Sequence, residues 1–300
     1  MDILLVSVNR ERTPYPVFPL GLACLAGPLT AAGHRLQVLD LCFADDPNKA
    51  VEHAMEEFGP KAVVISIRNI DNVTWPDSRS YLGGVKEVVA RCRDKATVIL
   101  GGSGFSLMPA EVLAFVEGDY GVVGEGEEVL PRLIAHLASG NDGSRLPGVI
   151  ARGEKQWLPS EPVLTFGTPD RHLFAVSRYR REGGMANLQT KRGCPFGCIY
   201  CTYPLLEGGN VRLRPIAEIV AEIRELEEQY GVDYIYFVDD IFNYPPEFAE
   251  KLCRAMSDAG VKANWSAFIN PGFVTPALLD AMVRAGCDAV EFGTDSGSDA

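Results

Sequence analysis

The chain has 300 residues, which allows two domains and a core that needs no covalent staples. It is 47% hydrophobic and 23% charged, the make-up of a soluble globular protein. A formal net charge of −12 argues against a large nucleic-acid footprint, because neutralising phosphates needs a basic face.

Residues 1–140 alternate strand and helix. "DILLVSV" (2–8) reads as a strand and "PLGLACLAGPLTAAG" (19–33) as a buried helix ending at Gly33. "RLQVLDL" (35–41) is a strand, and "PNKAVEHAMEEF" (47–58) a helix with Pro47 in its first turn. "AVVISI" (62–67), a helix over 80–94, "ATVILGG" (96–102), a helix over 109–118, "DYGVVG" (119–124) and a helix over 127–140 complete the series. The strands are apolar without strict alternation, as strands covered on both faces are. Five such units predict a doubly wound, Rossmann-like α/β domain that binds ligands at the carboxyl ends of its strands.

Residues 141–185 carry turn formers and short apolar pieces. They predict a linker with a hairpin formed by "GVIAR" and "KQWLP" and a solvated "RYRR" patch. From 186 the alternation resumes. "NLQTKRG" is a strand, 216–231 a helix, 234–240 a strand, 246–260 a helix, 261–269 a strand, 275–286 a helix and 288–294 a strand. Four strands and three helices make part of a TIM-like (β/α) barrel, which cannot close on four strands. The natural chain is therefore expected to continue past Ala300.

No run of 18 apolar residues occurs, and the N-terminus lacks the pattern of a signal peptide, so a cytoplasmic protein with no transmembrane segment is expected. Five of the eight cysteines (Cys24, Cys42, Cys92, Cys253, Cys287) are scattered and read as small buried hydrophobes. The other three, Cys194, Cys198 and Cys201, lie in "KRGCPFGCIYCTYP" with the spacing C-x-x-x-C-x-x-C just past the first barrel strand. Active sites collect at such strand ends. Pro195 and Gly197 are expected to force a turn that brings the three thiolates together, and three soft thiolates suit iron or zinc. Structural zinc needs a fourth ligand, for which Cys253, Cys287 and His172 are the candidates; the two cysteines are expected inside outer helices. A disulfide leaves an odd cysteine. A cluster with one open iron accounts best for three ligands.

This motif, with Tyr200 in the aromatic position before Cys201, resembles that of the radical S-adenosylmethionine superfamily. The resemblance implies that Cys194, Cys198 and Cys201 hold three irons of a 4Fe–4S cluster. The fourth iron then takes the amino and carboxylate groups of S-adenosylmethionine, and reduction yields a 5′-deoxyadenosyl radical. It also implies a small-molecule substrate and an electron donor such as flavodoxin or ferredoxin. Strand "YIYFVDD" ends in Asp239 and Asp240, of which at least one would meet the amino group of S-adenosylmethionine or else cap the next turn. "GTDSGSD", with Thr294, Asp295 and Ser296, resembles the family's G-x-E-S-G motif, Asp295 standing for the usual Glu.

The first domain resembles the cobalamin-binding domain that precedes many radical enzymes. That implies backbone close to the cofactor at Gly101, Gly102 and Gly104, hydrogen bonds from Ser103 and Ser106, and a turn formed by Gly124, Glu125 and Gly126. It also implies a loop starting at Ser66 in which Arg68, Asn69 and Asn72 bond the corrin or order the loop. The D-x-H-x-x-G motif is absent, and Gly104 stands where such domains often have His, so no histidine ligand to cobalt is expected. Together the resemblances imply a cobalamin-dependent radical enzyme. Methyl transfer to an unactivated carbon is the leading reading, followed by cyclisation or rearrangement, then a carrier without turnover. The methylthiotransferases, which carry a second cluster, are set aside because Cys24, Cys42 and Cys92 are expected away from strand-end loops.

Overall fold

The computed structural model describes residues 1–293. They divide into two compact units: Met1–Pro14, Pro19–Phe174 and Leu205–Glu207, and Tyr15–Phe18, Ala175–Pro204 and 208–293.

The first sheet and its helices run β1 (Asp2–Ser7), α1 (Leu20–Ala31), β2 (Arg35–Asp40), α2 (Pro47–Phe58), β3 (Ala62–Ser66), α3 (Leu82–Cys92), β4 (Thr97–Gly101), α4 (Ser103–Leu107), α5 (Pro109–Val116), β5 (Tyr120–Val122), α6 (Gly126–Ala138) and β6 (Val149–Ala151). The strand order is β2-β1-β3-β4-β5-β6, parallel except for β6. α1 packs with α6, while α2, α3 and α5 pack in a row, so both faces are covered. This explains the unbroken apolar runs: Ile3 to Val6 and Val98 to Leu100 are fully buried. The predicted doubly wound domain is thus observed, and its chain order reverses direction between β1 and β3.

Local signals set the helix bounds where they are strong. Asp46 accepts the N–H groups of Asn48 and Lys49, Pro47 fills the first turn, and Gly59 ends α2 in the left-handed region. The predicted hairpin is not formed. Only Val149–Ala151 becomes a strand, pairing antiparallel with the open edge of β5, and the bond from Gly148 N–H to Leu158 is what remains of the second arm. Residues 141–174 therefore pack with the first unit. α4 was not foreseen, because five residues of "SGFSL" carry no helical period.

After β6 follow α7 (Val176–Gly183), β7 (Ala186–Leu188), β8 (Lys191–Arg192), α8 (Tyr203–Glu207), β9 (Arg212–Leu213), α9 (Ile216–Tyr230), β10 (Tyr234–Phe237), α10 (Pro246–Asp258), β11 (Asn264–Phe268), α11 (Pro276–Arg284) and β12 (Cys287–Glu291). β7, β10, β11 and β12 lie side by side in chain order and all parallel, the arc of a β/α barrel. The "RYRR" patch lies on α7, whose arginines pair with Glu182 and Asp233 while Tyr179 is buried.

Two placements differ from expectation. Cys287 opens β12 rather than sitting in a helix. The predicted first barrel strand breaks at Gln189–Thr190, and Lys191–Arg192 turn aside to pair antiparallel with β9. The cysteine motif is consequently the head of a two-stranded ribbon rather than the tip of a barrel strand.

Candidate functional site

The ribbon is fixed at its base. Arg214 donates its backbone N–H to Thr190 and its guanidinium to the carbonyl of Gln189, and it pairs at 2.7 Å with Glu222, both side chains being buried. Past Arg192 the chain turns at Gly193, with φ +89°, where a Cβ would lie 2.2 Å from the carbonyl oxygen of Asn210. Only glycine fits there. Cys194, next in sequence, is buried and donates its N–H to Gly208. Cys201 N–H bonds the carbonyl of Cys198, closing a turn that projects Ile199 and Tyr200 outward; Tyr200 is 65% exposed. Phe196 anchors the loop from within, packing on Tyr244 and Phe273 with ring centroids 5.4 and 5.7 Å away.

Burial raises the Cys194 thiol pKa, the Phe196 N–H opposes this, and the negative charges of Asp240, Cys201 and Cys198 raise it further. The three thiols and Asp240 thus share one electrostatic neighbourhood. The predicted convergence to a single point is not observed: among the described residues no three His, Cys, Asp or Glu side chains are gathered so as to hold a metal ion. Like charges repel, and closing three thiolates on one point needs a cation to offset them. Gly197 does not force the turn, since it has an ordinary φ and open space at its Cβ position. The donor set itself, three free thiols on one loop, fits an iron–sulfur cluster with one iron left for another ligand.

The two aspartates after β10 separate. Asp239 is buried and accepts three hydrogen bonds, from the N–H and hydroxyl of Thr190 at 2.6 and 2.5 Å and from the N–H of Lys191 at 3.3 Å, and it pairs with the Lys191 ammonium at 3.3 Å. Most of its acceptor capacity is thus taken up within the protein. Asp239 instead ties Thr190 and Lys191 to the end of β10. Asp240 is half-buried and bears on Cys194. Thr294, Asp295 and Ser296 lie outside the described residues.

In the first unit, Ser7, Ser66 and Gly101 stand abreast at the carboxyl edge of β1, β3 and β4. Small residues in a row leave a shelf for a flat ligand, and Gly124, at φ +80° with nothing within 4 Å of its Cβ position, leaves the neighbouring turn open. Small side chains beside an open turn are the kind of lining that a flat ligand such as a corrin requires. Other predicted contacts are engaged within the protein. A Cβ on Gly102 or Gly104 would lie 2.6 Å from the Ile67 carbonyl oxygen or 2.9 Å from that of Arg68, so these glycines admit the close approach of the loop after β3. The same approach leaves no room for a histidine at position 104. Ser103 donates to the carbonyl of Arg68, and Ser106 donates to that of Gly102 while accepting from Gly124 N–H. Glu125 accepts from Val163 N–H, and Gly126 abuts Leu25. Asn72 orders its loop through Asp77 and Arg79, leaving exposed Arg68 and half-buried Asn69 on it.

The scattered cysteines behave differently from the triad. Burial pushes the thiols of Cys92 and Cys253 up to about 11 and about 12. Cys42, contrary to expectation, follows the end of β2 at a strand edge, yet it is buried and its N–H and carbonyl bond Asp40 and Arg12. Alkylation of the folded, metal-free protein at neutral pH is therefore expected at Cys198 first, with Cys92 and Cys253 reacting only on unfolding; peptide mapping reads the order, and early labelling of Cys253 would contradict it.

Comparison with known proteins agrees with this division. The family model of the B12 binding domain matches residues 6–134, and that of the radical SAM superfamily matches residues 188–300. The chain is thus a cobalamin-binding domain fused to a radical SAM domain, and it matches the class B radical S-adenosylmethionine enzymes. Among individual relatives, the tryptophan 2-C-methyltransferase of Streptomyces laurentii is 26% identical, across 96% of this chain and 59% of its own length. Structures of the radical S-adenosylmethionine methyltransferase TsrM from Kitasatospora setae superpose with TM-scores of 0.89 and 0.87 at 26% identity, over 98% of this chain and 59% of theirs. One holds tryptophan and a S-adenosylmethionine analogue, the other cobalamin and a [4Fe-4S] cluster. The chain spans about 59% of the length of these relatives. Among the described residues no helix is long and apolar enough to cross a membrane.

Proposed function

We propose that the protein is a cobalamin-dependent radical S-adenosylmethionine enzyme that transfers a methyl group to an unactivated carbon of a small-molecule substrate. The observation that carries this is the three-thiol loop at the carboxyl edge of a parallel β/α sheet, in one chain with a B12 binding domain. The methyltransferase relatives support the reaction type. A 4Fe–4S cluster held by those thiols would supply reducing power toward the sulfonium of S-adenosylmethionine, and a corrinoid would supply a methyl carrier. Cys194, Cys198 and Cys201 would hold the cluster. Asp240 would accept from the S-adenosylmethionine ammonium, and exposed Tyr200 would lie along the nucleoside. The shelf of Ser66 and Gly101, the open turn at Gly124 and the loop bearing Arg68 and Asn69 would hold the corrinoid. Thr294, Asp295 and Ser296 would complete the S-adenosylmethionine site. A low-potential protein of the flavodoxin or ferredoxin kind would supply the electron, and the reducing cytoplasm suits the free thiols.

The test is chemical. Full-length protein, purified anaerobically, is expected to retain cobalt and iron and, with reductant and S-adenosylmethionine, to release 5′-deoxyadenosine. A protein that takes up cluster and corrinoid yet never yields 5′-deoxyadenosine would be a carrier, and the enzyme reading would fall.

A further inference from the structure

Lys191 and Asp239 are both buried, and their charged groups are engaged within the protein. Their position is informative. β7 and β10 run parallel, and the last backbone bond between them joins Val238 N–H to the carbonyl of Leu188. Beyond it the two chains diverge, because Lys191 and Arg192 leave to pair with β9. No ladder then holds the segment leading to Cys194 against the segment bearing Asp240. Side chains take over. The carboxylate of Asp239 accepts the backbone N–H groups of Thr190 and Lys191, as a strand carbonyl would, and also the Thr190 hydroxyl. The ammonium of Lys191 reaches back to the carbonyls of Phe242 at 2.5 Å and Ile241 at 3.3 Å, and lies over the rings of Phe242 and Phe248.

A buried ion pair is seldom more stabilising than apolar residues of the same volume, and its best-attested use is to fix a register. We propose that the Lys191–Asp239 pair is a positioning device. It continues the β7–β10 register past the end of the ladder, so that the thiol loop and Asp240 address the same S-adenosylmethionine. The inference rests on the function proposed above. Neither residue touches the reacting atoms; both act through the loops they hold.

The test removes the charges while keeping shape. Lys191→Met combined with Asp239→Asn preserves volume and leaves Thr190 an acceptor. The reconstituted double variant is expected to keep its iron and its thermal midpoint within about 5 °C, yet to bind S-adenosylmethionine about tenfold or more weakly by equilibrium dialysis. Its reduced cluster should show no change in paramagnetic spectrum at S-adenosylmethionine concentrations that saturate the wild type. Thr190→Val, which leaves both charges in place and removes one donor, should shift affinity in the same direction by a smaller factor. Wild-type affinity in either variant would overturn the device alone. A wild-type protein that takes up neither cluster nor S-adenosylmethionine would overturn the proposed function and this inference with it.

Discussion

Cys198→Ala is expected to abolish iron binding and 5′-deoxyadenosine release while leaving the fold untouched. The separation follows from the environments of the cysteines. Cys198 is exposed on the loop, so truncating it should change stability by no more than about 0.5 kcal/mol. Cys194 is buried, so a variant there would mix lost packing with lost ligation. With two thiolates left, the loop cannot hold three irons, and iron content should fall from about four per chain to well below one. Activity should fall by at least about two orders of magnitude. Iron analysis beside a thermal melt checks both halves. Retained iron would refute the ligand assignment, and a collapsed melt would refute the claim that Cys198 carries no structural weight.

Gly193→Ala should show the largest structural effect of any single methyl on this loop. Alanine at φ +89° stores about 1–3 kcal/mol of backbone strain. Its Cβ would also meet the Asn210 carbonyl at 2.2 Å, a backbone atom held close to the β8–β9 ribbon and unable to swing away. Overpacking of that kind adds about 1–3 kcal/mol more. The ribbon must open or Cys194 must move, so melting should drop by several degrees and iron occupancy should fall with it. Gly197→Ala is the matched control. It lies in the same motif with nothing within 4 Å of the added carbon, and should melt and load iron as the wild type does. Equal effects at the two glycines would contradict this account of the loop.

That contrast shows what the sequence could and could not disclose. The cysteine spacing and the β/α alternation are local patterns, and both were legible: the parallel sheets occur where the apolar runs predicted them, and α2 runs from Pro47 to Phe58 as expected. Which glycine matters was not legible. Gly197 looked decisive because it lies between cysteines, whereas the need at Gly193 is created by a carbonyl 17 residues later. The different surroundings of Asp239 and Asp240 were hidden for the same reason. Adjacent in sequence, they part only because the first barrel strand breaks at Gln189–Thr190, and the apolar pattern runs through that break unmarked. In the first unit the glycine-rich strand end was found, but Gly102 and Gly104 serve the approach of the Ile67–Asn69 backbone, a tertiary fact that no local pattern encodes.

On the proposed function, the three-cysteine loop leaves one coordination position for S-adenosylmethionine. This is tested most directly by electron paramagnetic resonance of the anaerobically reduced full-length protein, recorded with and without S-adenosylmethionine. A reduced 4Fe–4S signal whose shape changes saturably as S-adenosylmethionine is added is the expected result. A signal that ignores S-adenosylmethionine at every concentration, from a protein carrying a full complement of iron, would contradict it.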